Sequence, residues 1–124
     1  MSKFILIGAG GAAGAISRYL LSKVVNSLAP IGLIPWGTVL VNVIGSFLLA
    51  FLMISSAQRV SIDPRYIYLV GTGFLGAFTT FSTFSYEFIT LISKSSFRGA
   101  LYFLLTISLS VMAAYFGFIL GRGR

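Results

Sequence analysis

The chain has 124 residues, of which 57% are hydrophobic and 9% charged, with nine lysines and arginines against two acids for a net charge of +7. A soluble domain carries about a quarter charged residues, so this is a membrane composition. With no cysteine and no histidine, disulfides, thiolate chemistry, imidazole metal sites and imidazole bases are excluded, and an enzyme is not expected.

Four apolar segments, about 4–25, 36–56, 66–92 and 99–120, are each long enough to cross a hydrocarbon core of ~30 Å as a helix. The expected fold is all-α: one four-span transmembrane domain over residues 1–124, multi-pass in the lipid bilayer of a plasma or inner membrane. The connections NSLAPIGLIP with Pro30 and Pro35, AQRVSIDPR with Asp63 and Pro64, and SKSSFR leave no space for a soluble domain. The basic residues lie mainly where apolar stretches end. That distribution favours a topological role over DNA or RNA binding, and no nucleic-acid partner is expected.

The first span contains FILIGAGGAAGA, where Gly8, Gly10 and Ala13 have the G-x-G-x-x-A spacing of a dinucleotide-binding turn. The acid that should follow about 20 residues later is missing, and the first carboxylate is Asp63. The favoured reading is that Gly10 and Gly14, with Gly11, Ala12 and Ala13, make a small-residue face that lets another helix approach closely. Arg18 lies deep in this span, and the absence of a clear cleavage site after it speaks for a retained span over a signal peptide. Its charge can snorkel to the interface or face a vestibule and attract anions.

In the second span, GTVLVNVIGSF carries Asn42 about six residues inside. Its amide must find a partner in another helix or in a polar cavity. The third span reads GTGFLGAFTTFSTFSYE, with Gly71, Gly73, Gly76 and two threonines near its middle. Glycine and β-branching both weaken a helix, so a break is expected there. Carbonyls freed by such a break must be buried in protein and can bind a cation. Projected at about 100° per residue, Phe78, Phe81, Phe84 and Phe88 share one face with Ser85, while Thr79, Thr83, Tyr86 and Glu87 fall opposite. Glu87 either lies near the end of the span or pairs with a base such as Arg18.

The fourth span places Tyr102, Thr106 and Ser110 at i, i+4 and i+8, one stripe on an otherwise largely apolar helix. Two readings stand side by side: a hydroxyl track along a narrow polar pathway, or hydroxyls bonded back to their own helix.

With four spans, Lys3, Arg59, Arg65, Arg122 and Arg124 share one side, and Lys23, Lys94 and Arg98 the other, joined by Arg18 if it snorkels. A bias of five against four hardly commits the chain to one orientation. Insertion both ways would allow two copies to pair as an antiparallel dimer. The alternative is a single, weakly biased orientation.

GTVLVNVIGSF in the second span and GAFTTFSTFSYE in the third resemble the two signature stretches of the Fluc/CrcB fluoride channels, and the SRY of the first span fits as well. The match in size, span count and order covers essentially the whole chain. The resemblance implies a passive, selective fluoride exporter that protects against fluoride toxicity, built as an antiparallel dual-topology homodimer with two pores. It further implies a structural sodium ion at the subunit interface, held by the backbone carbonyls of Gly76 and Thr79. Phe81 and Phe84 would line the pore with Asn42, and Ser82, Thr83, Ser85, Tyr102, Thr106 and Ser110 would supply hydroxyls. Ala77 departs from the pattern, in which a second glycine is common. Two other functions compete: a small multidrug-type proton-coupled transporter, and a non-transporting membrane scaffold. The first needs a membrane-embedded carboxylate in the first span, where the chain has only Arg18.

Overall fold

A computed structural model describes residues 2–29 and 33–123; Pro30 of the first connection and Arg124 of the charge count lie outside the described residues. Among these residues the structure is all-helical, and four helical segments are long and apolar enough to cross a membrane: Lys3–Leu28, Trp36–Gln58, Pro64–Lys94 and Ser96–Gly121. They match the four expected spans and extend each by one to three residues at most ends. The chain is a multi-pass membrane protein.

Local chemistry fixes the ends. Ser2 caps the first helix by accepting the Phe4 amide at 3.2 Å, satisfying one of the donors a helix start leaves free. Asp63 does the same for the third span by accepting the Arg65 amide at 2.9 Å, with Pro64 preset at the first helical position. Ser95 alone separates the third and fourth spans, and its side chain accepts the Arg98 amide at 3.3 Å. Most of SKSSFR is therefore helix, and the reversal is sharp.

The third span is broken, as expected from its glycines and threonines. After the turn Pro64–Tyr66 it runs as a π-helix over Ile67–Leu75, returns to α geometry for Gly76–Phe78, and breaks before resuming at Ser82–Lys94. π geometry is rare and usually confined to one turn. Here it coincides with an unusually close backbone approach by the first helix. A Cβ at Gly10 would overlap the Leu69 carbonyl oxygen, and one at Gly14 that of Phe74. The small-residue face is thus Gly10 and Gly14, both buried, while Ala12 and Ala13 are exposed. The second and fourth helices pack as closely: the Ser55 hydroxyl donates to the Gly121 carbonyl at 3.3 Å, and a Cβ at Gly121 would lie 2.8 Å from the Phe51 carbonyl oxygen.

Candidate functional site

The break is held open by the second helix. Thr79 is extended (φ −85°, ψ 155°), so the helical ladder stops there. The Asn42 side chain takes its place: Nδ2 donates to the Thr80 carbonyl at 3.0 Å, and the Thr80 amide donates to Oδ1 at 2.8 Å. A carboxamide offers one donor and one acceptor in the plane a peptide needs, so it satisfies both groups of a residue that has left the helix. Asn42 is buried in doing so. Three residues on, Gly45 leaves space for the Thr79 methyl, which a Cβ there would overlap. The N–x–x–G portion of the second-span signature is therefore the seat of the third-span break.

Arg18 does not pair with Glu87. Its Nε donates to the Ala77 carbonyl at 3.1 Å, on the first-helix side of the same break. Glu87 instead accepts the Thr38 hydroxyl, and it borders a cavity of about 580 Å³ with Asn26, Tyr86, Thr90, Lys94 and Arg98.

A second cavity, of about 230 Å³, opens at the break between Asn42, Thr79, Phe81, Phe84, Thr106 and Ser110. Ser46 and Thr80 also line it, and neither was singled out from sequence; Ser46 sits one turn past Asn42, a spacing that could have found it. Thr38, one turn before Asn42, was overlooked in the same way. Tyr102 is fully buried, its ring 5.3 Å from that of Phe84. Its hydroxyl stands near those of Thr38 and Thr106 without reaching hydrogen-bond geometry to either.

The hydroxyls of Tyr102, Thr106 and Ser110 are all buried without a hydrogen-bond partner among the described residues. Back-bonding to their own helix, one of the two readings of this stripe, is absent. Buried hydroxyls without partners are costly, on the order of 1–3 kcal/mol each.

Of the third-span hydroxyls, Ser82, Thr83 and Ser85 do not line the cavity at the break. Ser85 bonds back to the Phe81 carbonyl at 2.9 Å, Ser82 lies 3.3 Å from the Thr80 hydroxyl, and the Thr83 amide is capped by Thr80 Oγ1 at 3.2 Å. The aromatic face is also divided. Phe84 is buried and Phe81 is 75% exposed, with their rings 5.7 Å apart; Phe78 is buried across the break and stacks on Phe74. A continuous-helix projection cannot register this, because the break resets the angular phase.

These features define a small integral membrane protein with four spans, one of them broken around a polar interior. Residues 5–118 match the family described as "CrcB-like protein, Camphor Resistance (CrcB)", and the chain belongs to that family. It is 52% identical over 122 residues to a protein of Thermosipho melanesiensis named fluoride-specific ion channel FluC, with 98% of each chain covered. It is 50% identical over 121 residues to the protein of that name in Thermotoga maritima, covering 98% of this chain and 95% of the relative. With the one in Methanococcus aeolicus it shares 44% over 122 residues, covering 98% and 94%.

Proposed function

We propose that the chain forms a fluoride-selective channel that lets the ion leave the cell passively. The observation that carries this reading is the line of unpartnered hydroxyls on Tyr102, Thr106 and Ser110, leading to a cavity walled by Asn42 and two phenylalanines. Fluoride is small and strongly hydrated, so a selective path must replace its water with hydrogen-bond donors. The hydroxyls supply them, and Asn42 uses one N–H on Thr80 and has a second for the cavity. Phe81 and Phe84 add electropositive ring edges. Ser82, Thr83 and Ser85 contribute chiefly by shaping the break.

The working unit is an antiparallel homodimer. At the break, Phe81 and Ser82 are exposed and Gly76 has an open flank. Irregular backbone at that depth is not tolerated against lipid and has to be covered by protein or line a cavity. A second copy, inserted the other way under the weak charge bias, is the cover. The carbonyls of Gly76 and Thr79 would then be the groups to hold a sodium ion. The amides that would bond them in a continuous helix belong to Thr80 and Thr83, and these are committed to Asn42 Oδ1 and Thr80 Oγ1. Neutral carbonyls with no carboxylate suit a monovalent cation. The Ala77 carbonyl takes no part, since Arg18 holds it.

Purified protein in liposomes tests the function: fluoride leaves while chloride stays. A flux that required a proton gradient and carried a drug would favour the multidrug-type transporter, and folded protein without flux the scaffold. The chain lacks cysteine, so Ser61→Cys gives a clean topology probe. Labelling by an impermeant thiol reagent from both sides of sealed cells supports dual insertion; labelling from one side refutes it.

A further inference from the structure

The chain has two acidic side chains, and both are engaged elsewhere than at the shared end of the second and fourth helices. Asp63 pairs with Arg65 at 2.7 Å, and Glu87 accepts the Thr38 hydroxyl. Arg59 and Arg122 are therefore left without an acidic side chain to offset them. Arg59 directly follows the second helix and Arg122 the fourth, so both stand where spans end and lipid headgroups begin.

Neutral groups hold both in place. Arg59 Nη1 donates to the Leu120 carbonyl at 3.2 Å, and the Arg122 guanidinium lies 5.7 Å from the centre of the Phe118 ring. These tethers orient the guanidiniums and leave their charge without an acidic partner among the described residues. Between them opens a cavity of about 680 Å³, completed by Ile119, Leu120 and Gly123. Ile119 and Leu120 are 42% and 58% exposed, so charge stands above an aliphatic wall. That sequence of surfaces, cationic at the end of the span and apolar one turn deeper, mirrors a phospholipid read from phosphate to acyl chain. Guanidiniums bind phosphate oxygens through paired N–H donors, and basic pockets between spans hold anionic headgroups.

We propose that this pocket binds the headgroup of an anionic phospholipid, with Arg59 and Arg122 on the phosphate and Ile119 and Leu120 against the first carbons of the acyl chains. The shared chemistry is a phosphate oxyanion, which a free phosphate also carries. The aliphatic wall selects the lipid.

The test is native mass spectrometry of the full-length protein released from neutral detergent, with phosphatidylglycerol or phosphatidylcholine of matched acyl chains added. The wild type should retain phosphatidylglycerol in clear preference, and each arginine removed should weaken it about fivefold. R59Q/R122Q should fall to the phosphatidylcholine level, while the charge-matched K3Q/R65Q keeps the preference. R122Q alone, whose side chain supports nothing beyond its own helix end, serves if loss of the Arg59 tether loosens the fourth helix. An undiminished preference in both R122Q and R59Q/R122Q overturns the proposal. So does an equal loss in K3Q/R65Q, which would reveal bulk attraction, or displacement of the lipid by millimolar inorganic phosphate, which would reveal a free-anion site.

Discussion

Asn42 and Thr80 are joined by two hydrogen bonds, side-chain amide to backbone, at 3.0 and 2.8 Å. Through them the second helix holds the third span open. Asn42→Asp keeps the acceptor and loses the donor, setting a carboxylate against the Thr80 carbonyl. Removing one partner of a buried pair costs about 1–3 kcal/mol, more when a charge is involved. Thermal melting in detergent should show that loss, and fluoride efflux should fall at least tenfold. Full efflux from the variant would separate Asn42 from the path.

The close approach of the first helix to the π-helix gives a sharp contrast. Gly10→Ala and Gly14→Ala each drive a methyl into backbone of the third span, whereas a Cβ at Gly8 meets nothing within 4 Å. Overpacking against backbone costs about 1–3 kcal/mol or more. Melting should therefore separate the first two variants from Gly8→Ala, which is expected to match or slightly exceed the wild type, because alanine is the better helix former.

On the proposed path, the unpartnered hydroxyls carry a stability penalty that their removal should relieve. Thr106→Val and Ser110→Ala take away buried groups with no partner, so melting temperatures should hold or rise. Tyr102→Phe, with its ring still against Phe84, should behave likewise. Fluoride flux should nevertheless fall in all three. Reduced stability with normal flux would mean that these hydroxyls serve packing instead.

Asp63 sits outside the spans, and its hydrogen bonds with Arg65 hold its carboxyl below the usual carboxylate range. A group whose folded pKa is depressed stabilises the fold above its unfolded pKa of about 3.9 and ceases to as pH falls through the folded value. Carboxyl-selective NMR should show its midpoint below that reference. Arg65→Gln should return the midpoint toward it.

The spans and the position of the break were legible because each rests on local chemistry: apolar length, and glycine and threonine at mid-span. The partner of Asn42 was not, since a side chain bonding a peptide 38 residues away leaves no local pattern. The π-helix was equally hidden, as it accompanies backbone contact between two spans that sequence cannot pair. Thr106 and Ser110 were found by helical spacing on an intact helix. The same projection carried across residues 78–82 could not relate Phe78 to Phe84, because the break changes the phase. Glu87 gained a partner in Thr38, a contact between helices that neither signature alone discloses.

The most direct measurement is fluoride efflux from liposomes containing the purified protein, followed with a fluoride electrode and repeated with chloride. The wild type should release fluoride rapidly and retain chloride, and Asn42→Asp and Phe81→Ile should each depress the flux while remaining folded. Well-folded wild-type protein that passes no fluoride, or passes chloride equally well, would contradict the account.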